Sequence, residues 1–152
     1  MIKFSLEDEA RLLELLREEQ AIFGQIRELS ENQSALLKED DAELFVIKLD
    51  EGQQLIEKIN GLHQEEKPLM QSYLSLSGTP GGRKNAGIES AIEALRGEIA
   101  ACADLNERNM ALAKEKTGEY SKKIEKLNAS RQTLGKYVQD IPPESGMFDK
   151  KT

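Results

Sequence analysis

Tryptophan is missing from this 152-residue chain, histidine and cysteine occur once each, and there are four prolines. One histidine and one cysteine cannot build a histidine-rich or cysteine-based zinc site, and a disulfide could form only between two copies of the chain. Aromatic residues make up 5% and charged residues 32%, so a sheet-based core rich in large rings is not available. The lone Cys102 sits between Ala101 and Ala103 with no neighbouring base, and is expected to be a small packing residue. Wholly apolar runs are short, Leu44-Phe45-Val46-Ile47 among them, far below the ~20 residues of a membrane span. At the N-terminus Glu7, Asp8 and Glu9 arrive before any apolar signal segment could form. These features predict a cytoplasmic protein without stable membrane insertion.

What is plentiful is charge, and it is unevenly placed. The net charge of −7 argues against a nucleic-acid partner, whose binding needs neutralised phosphates. Residues 1–74 carry 8 basic and 17 acidic side chains, a net −9, while residues 75–152 carry 13 and 11, a net +2. The two halves are therefore expected to lie side by side.

Apolar periodicity supplies the organisation. Ser5 followed by Asp8 reads as a capping box, and Leu12, Leu15, Leu16, Phe23, Ile26, Leu36 and Leu37 recur behind it at helical spacing. This predicts a first helix over 6–38. The Glu39-Asp40-Asp41 cluster, with Asp40 three residues before Glu43, should cap a second helix over 41–74, kinked or interrupted near its end by Pro68. Residues 75–87 hold four glycines and a proline and form the predicted flexible loop. Its lack of an apolar stripe suggests that it is dispensable for folding. A third helix is predicted over 88–139, ahead of Pro142-Pro143, and residues 141–152 as a disordered tail. The expected fold is all-α, a single-domain antiparallel three-helix bundle.

Lengths add an argument. At ~1.5 Å per residue the first two helices span ~50 Å each and the third ~75 Å, so the third should outrun its partners from about residue 121. Its stripe nevertheless continues through Tyr120, Ile124, Leu127, Leu134, Tyr137 and Val138. Each such side chain left in water forgoes ~1.5–3 kcal/mol of burial. A fold-back at Thr117-Gly118, a second copy of the chain or a partner protein could cover this face. The first five apolar positions other than Tyr137, namely Tyr120, Ile124, Leu127, Leu134 and Val138, are the candidate client-binding residues. Lys114, Lys116, Lys122, Lys123, Lys126, Arg131 and Lys136 flank them and could steer an acidic surface.

Catalytic readings fail at the residues where chemistry needs them. Gly78 to Asn85 suggests a phosphate loop, but Arg83 stands where the last glycine belongs and Asn85 where a hydroxyl should hold magnesium. A bundle-core carboxylate metal site wants two Glu-x-x-His pairs, whereas the single His63 has Asn60 three residues before it. His63 is expected at a surface or boundary position. Glu39-Asp40-Asp41 lacks the glycine and ligand alternation of a calcium loop. No catalytic residue, cofactor or metal is expected, and the chain does not read as an enzyme.

One local pattern is distinctive. Asn106 and Asn109 in L-N-E-R-N lie one turn apart on the third helix, where asparagine is a poor helix former, and Tyr137 follows 28 residues after Asn109. With the acidic first helix, the turn A-L-L-K-E-D-D-A-E-L and the frayed tail, this layout resembles the FlgN family of flagellar type III export chaperones over nearly the full chain. The resemblance implies a cytoplasmic chaperone that binds the hook-filament junction proteins FlgK and FlgL and presents them to the export gate protein FlhA. It implies Asn106 and Asn109 as family motif residues and Tyr137 as the contact to the gate. A coiled-coil adaptor or structural homodimer is the competing reading, because a self-paired third helix would bury the same stripe.

Overall fold

A computed structural model of the chain describes residues 4–116, 118, 120–126 and 129. Three long helices account for nearly all of them: α1 (Leu6–Glu39), α2 (Ala42–Ser77) and α3 (Ala86–Lys116), with residues 118, 120–126 and 129 also helical. There is no strand among the described residues, and no helix among them is long and apolar enough to cross a membrane. The fold is an all-α bundle.

Local signals explain where the helices start. Ser5 accepts from the Asp8 amide while the Asp8 carboxylate accepts from the Ser5 amide, both at 3.0 Å, which completes the expected capping box. Asn85 opens α3, its side-chain oxygen accepting from the Ile88 amide at 2.9 Å. The turn between α1 and α2 departs from expectation by one residue. Asp41, rather than Asp40, is the N-cap, accepting from the Leu44 amide at 3.2 Å. Asp40 ends α1 instead, with φ 60° and ψ 30°, and its left-handed backbone lets two residues reverse the chain.

Because an L-residue in that conformation is strained, Asp40→Gly is expected to stabilise the fold by about 1 kcal/mol, net of the small contribution of the Asp40 carboxylate to Lys116. The corresponding rise in Tm is roughly 2–4 °C. Asp40→Val should lower Tm by a similar amount or more, as thermal melts of both variants would show.

Two other expectations change. Pro68 does not interrupt α2, which runs unbroken to Ser77. Pro68 and Gln64, whose carbonyl loses its helical donor, are both exposed, so water can satisfy the orphaned group. The glycine-rich connection is also less passive than its composition suggests. The Tyr73 hydroxyl accepts from the Asn85 amide at 3.1 Å and donates to Glu89, tying the loop's end to α2. A Cβ on Gly82 would lie 2.1 Å from the Leu76 carbonyl oxygen. Gly82→Ala is therefore expected to cost on the order of 1–3 kcal/mol, readable as a lower denaturation midpoint, although the loop carries no apolar stripe.

Packing centres on α1, whose backbone lies against both α2 and α3, while α2 and α3 meet through side chains. Arg11 near the start of α1 clamps Glu65 late in α2 with hydrogen bonds of 2.6 and 2.7 Å, as antiparallel neighbours require. Those bonds hold the Glu65 carboxyl below its ordinary pKa; what they add is present above the unfolded carboxylate range and is lost as pH falls through the lowered value. Both side chains are largely exposed, so the pair contributes little. Arg27 reaches Glu98 at 2.9 Å and Lys116 reaches Asp40 at 3.0 Å, so α3 runs parallel to α1 and in step with it. The acidic first half and the more basic second half thus do lie side by side.

The core between them is continuous: Leu12, Leu16, Phe23, Ile26, Leu37, Phe45, Ile56, Ile59, Met70, Tyr73, Ile88, Ile92 and Leu95 belong to one buried cluster. Burying each large aliphatic chain of this kind contributes ~1.5–3 kcal/mol.

Candidate functional site

The residues that α3 buries change character along its length. Up to Leu95 they are mainly apolar (Ile88, Ala91, Ile92, Leu95), whereas from Cys102 to Ala113 they are Cys102, Asn106, Asn109 and Ala113. Opposite them α1 buries Ser30 and Gln33. The Asn109 side-chain amide donates to the Ser30 carbonyl at 2.9 Å, and the Ser34 hydroxyl donates to the Asn109 side-chain oxygen. Cys102 donates to the Phe23 carbonyl at 3.3 Å and is buried, as its alanine-rich setting suggested. Asn106 is 3% exposed. The two motif asparagines therefore face inward, and Asn109 fastens α3 to α1 by hydrogen bonds where a leucine would have used hydrophobic burial. Each such bond contributes ~1 kcal/mol net, less than a fully buried leucine.

Beyond this polar stretch the apolar pattern returns. Tyr120 is 7% and Ile124 1% exposed, and both join the main cluster. The Tyr120 ring lies 4.9 Å from that of Phe45, in the first turn of α2. This corrects the expectation from helix lengths that the stripe is left uncovered from about residue 121. Lys116 does sit level with the end of α1, but α2 begins there and offers Phe45 as a platform that a comparison of lengths alone does not register. Lys122 and Lys123 beside Ile124 remain exposed. Leu127, Leu134, Tyr137 and Val138, the possible hinge residue Thr117 and the tail lie outside the described residues.

A second polar layer crosses the middle of the bundle. Glu19 of α1 and Glu66 of α2 are both fully buried, and His63, one turn before Glu66, is half-buried with its Nδ1 3.1 Å from a Glu66 oxygen. One ligand atom from each of the three lies within 4.8 Å of the others. The second carboxylate oxygen of Glu66 is buried with no hydrogen-bond partner. Arg96, 4% exposed, stands at the level of Glu19 in the register set by Cys102 on Phe23 and Arg27 on Glu98. Sequence reasoning missed this group. The residue three before His63 is Asn60, whereas its carboxylate partner Glu66 lies three after, and Glu19 comes from a helix more than forty residues away.

Surface depressions offer less. An open groove of about 380 Å³ between α1 and α2 is lined by Gln25, Glu28, Asn32, Glu51, Gln54 and Lys58 among others, a solvated mixture without converging groups. Comparison with protein-family models, with curated proteins and with solved structures finds no match for this chain.

Proposed function

We propose that the chain is a cytoplasmic export chaperone of the FlgN type, which binds an amphipathic segment of the hook-filament junction proteins FlgK and FlgL and hands them to FlhA without catalysing a reaction. The observation that carries this reading is the construction of the helical segment that follows α3, residues 120–126. A short buried apolar patch, Tyr120 and Ile124, with the Tyr120 ring against Phe45, follows a stretch of α3 whose fully buried residues are small or polar. A helix end attached by so small a patch can exchange its contacts with the bundle for contacts with a client helix at modest cost, because between Cys102 and Ala113 the fully buried positions are small or polar and the large apolar residues packed there, Met110 and Leu112, are only partly buried. In the free protein the patch is stored, which keeps a chaperone from aggregating through its own binding face. Leu127, Leu134 and Val138 would extend the same face in the complex, with Tyr137 reserved for the gate. The exposed lysines Lys122 and Lys123 favour an acidic approach surface.

The test is co-expression of the full chain with the C-terminal segment of FlgK or FlgL. A complex that survives gel filtration is the expected result. Separate elution of the two, with this chain running as a dimer through α3, would favour the structural homodimer instead.

A further inference from the structure

The structure assigns a divalent-metal site to the mid-bundle layer formed by Glu19, His63 and Glu66, independently of any client. Two fully buried carboxylates and one imidazole converge within 4.8 Å. A carboxylate taken out of water is costly unless a cation or hydrogen-bond donors compensate it. Glu66 is compensated on one side only, since one oxygen meets His63 Nδ1 at 3.1 Å and the other is buried without a partner. That 3.1 Å separation is close to the spacing of neighbouring ligands around an ion held at ~2.0–2.1 Å. Arg96, at the same level, also pairs with Glu93 at 3.8 Å, so its one positive charge is spread over more than the two buried carboxylates and room remains for a cation in the electrostatic balance. The donor set, one nitrogen and two carboxylates, suits a borderline ion such as Zn²⁺ better than Ca²⁺, which prefers six or more oxygens. Three protein ligands would leave a fourth position for water, and the half-buried His63 edge gives the ion a way in. Such an ion would join α1 to α2 at mid-height, far along the bundle from Tyr120 and Phe45.

The test uses the full, tag-free chain with Zn²⁺ and Co²⁺ as probes. Calorimetry should give one Zn²⁺ per chain with micromolar or tighter affinity, and Co²⁺ should develop the visible bands of a four- or five-coordinate ion. His63 is the chain's sole histidine, so its imidazole NMR signals report the site without ambiguity and should shift on saturation with Zn²⁺. Glu66→Gln and His63→Gln should each weaken binding at least tenfold while circular dichroism shows the helices intact. Should His63→Gln fail to fold, Glu66→Gln alone decides, because it keeps the side chain's shape and removes a buried charge. Binding weaker than millimolar, unmoved imidazole signals, or affinity unchanged in Glu66→Gln would reduce the metal to adventitious association with surface carboxylates and overturn the assignment.

Discussion

Phe45→Ala is expected to destabilise the protein by about 3–5 kcal/mol, the usual cost of removing a buried phenylalanine whose cavity cannot fully collapse. Phe45 is 0% exposed and carries the Tyr120 ring on its face. The site is poorly able to adjust, since the adjoining reversal at Asp40 and Asp41 has only two residues between helices and is pinned by caps on both sides. In a thermal melt the loss should appear as a fall of roughly 10 °C. It should also be local in a telling way: amide exchange near Tyr120 and Ile124 should accelerate more than exchange near Ile88 to Leu95. Equal acceleration at both places would mean that α3 and the segment after it are held as a uniform unit.

Arg96→Met is the second large effect, on the order of 3–5 kcal/mol, for a different reason. Glu19 and Glu66 are fully buried, and Arg96, which also pairs with Glu93 at 3.8 Å, is a buried cation that the α1–α3 register places near them. Removing the cation leaves carboxylates in a low-dielectric interior without it, and that uncompensated charge outweighs the hydrophobic gain from methionine. Adding Glu66→Gln should recover part of the loss, because the second change deletes one of the stranded charges. Additive losses in the double variant would show that Arg96 and Glu66 do not share one electrostatic layer. Chemical denaturation of the four species in a double-mutant cycle supplies both numbers.

The fold was legible because its signals are local. The Ser5–Asp8 capping box, the apolar spacing of Leu12, Leu15 and Leu16, and the glycine-rich break before Ile88 each act within a few residues, and each appears in the structure. Boundaries shifted where two residues competed for one role: Asp40 and Asp41 can both cap, and only the need to reverse the chain sends the first into the left-handed region. Pro68 leaves α2 uninterrupted because the cost of a proline depends on whether the freed carbonyl faces water, which spacing does not disclose. The candidate site was less legible for a related reason. That Tyr120 finds Phe45, or that Glu19 finds His63, depends on which helix lies opposite and in what register. The inward aim of Asn106 and Asn109 was hinted at by asparagine in a helix interior, but the partners of Asn109, Ser30 and Ser34, are more than seventy residues away.

The central claim is that the helical segment after α3 stores a client-binding face, with Tyr120 against Phe45, and releases it on demand. Its most direct test is calorimetric titration of the C-terminal segment of FlgK into the native chain and into Phe45→Ala, at a temperature where both are folded. Phe45 lies in the storage platform and not in the client face, so its removal should raise the population with the face free and tighten binding, roughly tenfold for each 1.4 kcal/mol of storage energy lost. Ile124→Ala, which trims the face itself, should weaken binding in the same titration. Tighter binding by Phe45→Ala with weaker binding by Ile124→Ala is the predicted result; equal or weaker affinity in Phe45→Ala, or no binding by the native chain, would contradict the account.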